Sequence, residues 1–231
     1  ICLALLYWKE ISKIILIALA IRIIFLLIDH YIAPLPDTGA DADSFEVDAW
    51  HIAQNGFINL LDYYPGLHNS FYSWLIAIPY SLFGRSILMA QSISVLFGIG
   101  CIFLGWEVAK ILWDKHTANK VAWAIALFPS LILYSVITMK EVFVCFFLLL
   151  AIYYVIIWTR TNNFKYVFLS LIGFFGATFF HGAMIAGAII FLIIIFFYNF
   201  RKLLKSLKNY KISFNTSLPV ICIIIGAVFI F

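Results

Sequence analysis

The sequence is short of charge. Asp, Glu, Lys and Arg make up 11% of its 231 residues, where a soluble domain carries about a quarter. That shortage excludes a water-soluble domain, a disordered chain, a collagen and a coiled coil. Cysteine is scarce too. Cys2, Cys101, Cys145 and Cys222 each lie in an apolar run, and no CxxC spacing occurs. They read as small apolar-facing residues, not as a disulfide framework. No His/Cys cluster completes a zinc site, no cleavable signal peptide is recognisable, and there is no strong internal repeat. The basic residues form short flanks between apolar runs instead of one patch, which leaves no surface for nucleic acid.

What the chain has in excess is apolar residues, 65% of the total, with Phe occurring 24 times. No small water-exposed core absorbs that many. A membrane span needs about 20 apolar residues. The runs Ile11–Ala33, Ser86–Ala109, Val121–Thr138, Val142–Trp158, Tyr166–Phe180, Ala183–Phe200 and Leu218–Phe231 are the predicted spans. Phe71–Phe83 is too short to cross and carries Ser73, Tyr80 and Ser81, so it predicts a helix lying at the interface. The first residue is Ile1 and the last run stops at Phe231, so the chain reads as one transmembrane module, 1–231, truncated at both ends.

Charge tests this layout. With Phe71–Phe83 not crossing, the segments Lys9–Lys13, Lys110–Lys120, Arg160–Lys165 and Arg201–Lys211 fall on one side, and they hold twelve of the 15 Lys and Arg. The other side holds Asp37, Asp41, Asp43, Glu46, Asp48, Asp62 and Glu141. The positive-inside rule then favours about seven spans with the N-terminal side cytoplasmic. Residues 34–85 become a long first extracytoplasmic loop, and long loops are usually functional. Residues 201–211 become a basic cytoplasmic loop, spaced for contact with anionic lipid.

The long loop opens PLPDTGADADSFEVDAWHIAQNG. Pro36, Asp37 and Gly39 predict a turn. Asp43 or Ser44 can cap a helix that runs to Gln54 and stops at Asn55-Gly56. Phe45, Ala49 and Ile52 give that helix an apolar stripe, which predicts that it lies on the membrane surface. Asp41 sits just before its start. A second polar feature is Lys140-Glu141, at a turn between two spans, where ionisable residues are costly unless wet or paired. A third is His181-Gly182, at the junction of two further spans. Tyr64, Pro65 and His68 precede the interfacial helix. Arg22 lies mid-span and is expected to face the bundle interior in a structural role. In this layout Asp41, His68, Lys140, Glu141 and His181 share one outer interface. A site at that depth suits a substrate that is half lipid and half polar.

At these residues the sequence resembles the polytopic glycosyltransferases of the GT-C fold that use lipid-linked sugars. They include the protein O-mannosyltransferases, the aminoarabinose transferase of lipid A and the bacterial glycosyltransferase 39 group. Asp41, Phe45 and Ala49 are similar to that group's acidic residue, aromatic and small residue in the first outer loop. Tyr64-Pro65 with Leu82-Phe83-Gly84-Arg85-Ser86, and Ala126-Leu127-Phe128-Pro129-Ser130 with Lys140-Glu141, resemble two further passages. Ala42 departs from the mannosyltransferase pattern, and His181 stands where relatives often have Arg.

The resemblance implies an all-α bundle of GT-C type and a polyprenyl-phosphate sugar as donor. The acceptor hydroxyl stays unidentified, whether on glycan, lipid or protein. It implies an integral, multi-pass protein of the cell membrane whose active site is extracytoplasmic. Asp41 would serve as general base and Glu141 would orient the acceptor or Lys140. Lys140 and His181 would bind the donor phosphate, with His68, Tyr64 and Asp43 as further substrate contacts. No cofactor is implied; a divalent ion shared by Asp41, Asp43 and Glu141 is the other arrangement. Two other function classes stay open: a transporter or flippase for a lipid-linked glycan, and a non-catalytic membrane subunit.

Overall fold

Arg22 decides which way the first helix faces. In the computed structural model, which describes residues 9–62 and 69–208, α1 (Lys9–Tyr31) buries Ile11, Ile14, Ile15, Ala18, Arg22 and Leu26. These are spaced three and four apart, the stripe of a single helix face. Its opposite face exposes Leu16, Ile17, Ile23, Ile24, Phe25 and Leu27. The cation is thus inside and the branched hydrocarbon outside, an arrangement that suits lipid and not water. All regular structure among the described residues is helical.

Among the described residues three helices are long and apolar enough to cross a membrane: α1, α5 (Ile87–Leu112) and α8 (Glu141–Thr161). A fourth candidate is a broken pair, α6 (Lys115–Leu127) and α7 (Pro129–Val136), bent by 57°. This corrects the continuous span expected over Val121–Thr138. Pro129 has no amide hydrogen to continue the helix, and it pushes Phe128 into extended backbone at ψ 117°. The helix α9 (Phe164–Phe180) and the run Gly182–Tyr198 are apolar but shorter. At 17 residues α9 spans about 25 Å, a little less than a hydrocarbon core of about 30 Å.

The hub is α5, which packs against α1, α6, α7 and α8. Gly98 makes one of those approaches: a Cβ there would lie 2.5 Å from Ser135 Cβ and 3.2 Å from Arg22 Nε. Arg22 fills this junction. Its Nε donates to Ser135 Oγ at 2.9 Å, and its Nη1 donates to the carbonyls of Ala18 and Ala126, each at 3.3 Å. The Ala126 carbonyl belongs to the last turn of α6, where the proline break leaves acceptors unsatisfied. A cation at a helix C-terminus is also favoured by the dipole. Arg22 therefore pins the break, as its expected interior placement requires. Ser135→Ala removes the acceptor and leaves a buried guanidinium N–H unpartnered. A loss of about 1.5–3 kcal/mol is expected, read as a lower unfolding midpoint in detergent; an unchanged midpoint would show that the pin carries no stability.

Helices α8 and α9 form a hairpin closed by Asn162 in left-handed backbone (φ 52°) and by Asn163, whose side chain accepts from the Lys165 amide at 3.0 Å. A second compact unit begins at Ala183. Within it, α10 (Ile185–Lys208) exposes Ile189, Ile190, Ile193, Ile194 and Phe197. The helix continues through Arg201 to Lys208, so the first eight residues of the expected basic loop are helical. The expected span Leu218–Phe231 lies outside the described residues.

Candidate functional site

The start of the long loop is tied down by one carboxylate that sequence reasoning passed over. Asp29, near the end of α1, accepts from the Leu35 amide at 2.8 Å, Thr38 Oγ1 at 2.7 Å and Gln91 Nε2 at 2.7 Å. It ties the loop to α1 and α5 at once. Its signal was an acidic residue inside an otherwise apolar run. Asp37 takes left-handed backbone at φ 68° and accepts from Tyr134 Oη of α7 at 3.3 Å. The expected turn is present, with Asp37 as its left-handed residue.

A π-turn, Thr38–Ala42, then leads without interruption into α2 (Asp43–Ala53). The expected cap by Asp43 or Ser44 does not form. Ala42 is already helical at φ −63°, ψ −42°, and Ser44 Oγ instead donates to the Asp41 carbonyl at 2.8 Å. The apolar stripe is corrected as well. Phe45, Ala49 and Ala53 are buried against α4 (Asn69–Phe83), and Ile52 is only partly covered. Protein, not bilayer, covers this face. Helix α4, 15 residues long, buries Tyr72, Ser73, Ile76, Ala77 and Tyr80.

Glu46 fixes α2 to α4. The residue is 4% exposed, and its carboxylate accepts from Arg85 Nε at 3.0 Å and Nη2 at 2.6 Å and from Tyr80 Oη at 2.9 Å. Burial alone would raise its pKa. The hydrogen bonds from Arg85 and Tyr80 and the guanidinium charge outweigh burial and hold it below the ordinary value of 4.5. A depressed carboxyl stabilises the fold above its unfolded pKa, and that contribution is lost as pH falls through the folded value. The wild type is expected to lose stability below about pH 4 more steeply than Glu46→Gln, checked by thermal melts across that range. Parallel pH profiles would remove Glu46 from the acid response.

Four rings join separate segments. Phe45 of α2 meets Tyr72 of α4 at 5.3 Å, Tyr72 meets Phe143 of α8 at 5.2 Å, and Phe143 stacks on Phe180 of α9 at 5.0 Å. The candidate residues hang from this cluster. Asp41 is four residues before Phe45 and exposed. Lys140 Nζ stands 5.3 Å over the Phe45 ring, which brings the Lys140-Glu141 turn onto the Asp41-bearing segment. Glu141 opens α8, where the helix dipole favours a carboxylate. Its Oε2 is buried and has no hydrogen-bond partner among the described residues. Burial raises the Tyr72 hydroxyl, its contact with Ser94 opposes this, and the Glu141 charge adds to the rise. His181 follows Phe180 and is exposed.

Asp43 is exposed at the start of α2. Tyr64, Pro65 and His68 lie outside the described residues. Among the described residues, no three His, Cys, Asp or Glu side chains are gathered closely enough to hold a metal ion. The arrangement with an ion shared by Asp41, Asp43 and Glu141 therefore has no ready cage there.

The sequence profile of the family described as dolichyl-phosphate-mannose-protein mannosyltransferase matches residues 68–228. That range includes His68, Lys140, Glu141 and His181 and begins after Asp41. No curated protein and no solved structure matches the chain.

Proposed function

The chain belongs to the dolichyl-phosphate-mannose-protein mannosyltransferase family, membrane glycosyltransferases of GT-C type that depend on lipid-phosphate sugars, and from that premise we propose that it moves a sugar from a polyprenyl phosphate to an acceptor hydroxyl on the extracytoplasmic face. The observation that carries this reading is the contact of Lys140 with Phe45 beside the shared aromatic cluster. It supports a common centre for Asp41 and Glu141. About seven spans, with the N-terminal side cytoplasmic, complete the layout.

In this reading Asp41 takes the proton of the acceptor hydroxyl. The oxygen attacks the anomeric carbon from the face opposite the phosphate. The glycosidic bond forms, the carbon–oxygen bond to phosphate breaks, and configuration inverts. The leaving group departs as a lipid phosphate, which is a weak base and needs no proton. Lys140 and His181 stabilise the phosphate charge, and preorganised charge is effective at this task. Glu141 orients the acceptor or Lys140, and its partnerless oxygen supports a ligand contact.

The test uses the full chain in proteoliposomes with radiolabelled polyprenyl-phosphate mannose. Cleavage of sugar from lipid phosphate, to acceptor or to water, is the expected result. Movement of intact labelled lipid across the bilayer without cleavage would replace this reading with a transporter.

A further inference from the structure

Helix α2 has a second face. Asp41, Ser44, Asp48, His51, Asn55 and Asn59 are all exposed. Ser44, Asp48 and His51 are spaced four and three apart on one side of α2, opposite the buried Phe45, Glu46, Ala49 and Ala53; Asp41 precedes the helix, and Asn55 and Asn59 lie beyond its end. Over α2 a solvated polar face explains this stripe as well as anything does. At its far end it does not, because there the surface turns concave. His51, Ile52, Asn55, Asn59 and Leu60 line a cleft of about 450 Å³, within the range of small-molecule sites.

The cleft is built from fixed parts. Asn59 Nδ2 donates to the Asn55 carbonyl at 2.9 Å, tying α3 (Phe57–Asp62) to the end of α2. Trp74 Nε1 of α4 donates to the Leu60 carbonyl at 3.0 Å and holds the floor. Leu60 is buried. The lining chemistry is narrow. Among the described residues its lining holds no Lys, Arg, Asp or Glu, which favours a neutral ligand over a charged headgroup or phosphate. Its polar members are an imidazole and two carboxamides, each of which donates and accepts hydrogen bonds. A vicinal diol also does both, and a pyranose offers a C–H face to an apolar group such as the partly exposed Ile52.

We infer that this cleft is a subsite for a neutral sugar unit of the acceptor, so that the acceptor is a glycan lying along α2. The inference rests on the transferase reading and deepens it. The 11 residues of α2 rise about 16 Å, and Asp41 and Asn55 lie beyond its two ends. A chain of several sugars, not a single one, reaches from the cleft to the candidate base.

The experiment measures binding of a neutral mannose trisaccharide to the full chain in nanodiscs, by saturation-transfer NMR. An uncharged Ser/Thr peptide of similar length is the competitor. The trisaccharide is expected to bind the wild type and Asp41→Asn alike. Combining His51→Ala, Asn55→Ala and Asn59→Ala is expected to weaken it by about tenfold or more, from lost hydrogen bonds. All three side chains are exposed, and the one tie lost with them is the Asn59–Asn55 hydrogen bond, so Asn59→Ala alone, with its own melting temperature, separates loss of that tie from loss of sugar contacts. No trisaccharide binding by the wild type, equal binding by the triple variant, or displacement by the peptide but not by free sugar would overturn the inference. If Asp41→Asn keeps full transfer activity while trisaccharide binding still depends on the cleft, the subsite stands and the general-base reading falls.

Discussion

Asp41→Asn is expected to lower sugar transfer by about 10²–10⁴-fold while leaving expression, membrane insertion and unfolding temperature unchanged. The two halves of this expectation have separate causes. Asn keeps the size of Asp but cannot accept the acceptor proton, so the loss falls on turnover and not on donor KM. Stability should hold because Asp41 is exposed and because the local fold uses its backbone: Ser44 bonds the Asp41 carbonyl, not its carboxylate. Neighbouring carboxylates give the controls. Asp48→Asn changes another exposed carboxylate, on the helix that follows Asp41, and should leave turnover within a few-fold. Glu46→Gln should do the reverse, weakening the Arg85–Tyr80 clamp and lowering stability before activity. Steady-state kinetics with radiolabelled donor, alongside melts of each variant, separates these outcomes. Transfer by Asp41→Asn at the wild-type rate would remove Asp41 from the chemistry.

The spans legible in the sequence were those set by local pattern. The runs behind α1, α5 and α8 are long, apolar and uninterrupted, so length alone finds them. The helix over residues 43–53 was legible because the Asn55-Gly56 stop marks its end, and Gly56 indeed takes φ 83°. What escaped was set by long-range partners. Arg22 was readable as inward-facing, but its acceptors lie 104 and 113 residues away. Glu46 and Arg85 are 39 residues apart, and nothing local pairs them. The stripe of α2 shows the same limit in another form. An apolar face says that something covers it; only the fold says that the cover is α4 and not lipid. Pro129 was visible in the sequence, yet a hydropathy run is blind to direction, so the run over Val121–Thr138 read as one span. Asp29 was hidden by its apolar neighbours, although it organises the loop before Asp41.

The candidate site divides along the same line. The Asp41 segment and the Lys140-Glu141 turn were singled out by ionisable residues in places that tolerate few. The aromatic cluster between them was not, because 24 Phe residues give no local reason to prefer Phe45, Phe143 and Phe180.

Gly173→Leu is expected to have the largest effect on stability of any single change in α9. A Cβ at Gly173 would lie 2.7 Å from the Ala151 backbone nitrogen and 2.9 Å from its Cα and Cβ. Those atoms belong to the backbone of α8 and cannot rotate away, unlike the ring that a Cβ at Gly100 would meet, Phe146. The contact matters because helices in lipid gain little from apolar burial and associate through close packing of small residues. Ala151 is fully buried, and Ser170 Oγ, one turn before Gly173, donates to its carbonyl at 3.1 Å. Overpacking of this kind costs about 1–3 kcal/mol, so Gly173→Ala should sit in that range and Gly173→Leu above it. Gly39→Ala is the control, since nothing lies within 4 Å of its would-be Cβ. The damage should also reach the candidate site. If α9 cannot lie against α8, Phe180 loses its stacking on Phe143 and Phe147, at 5.0 and 5.7 Å, and His181 moves with it. Transfer by Gly173→Ala should therefore fall with donor KM raised, in contrast to Asp41→Asn. Melts within a degree of wild type for Gly173→Leu would show that the α8–α9 approach is looser than its distances state.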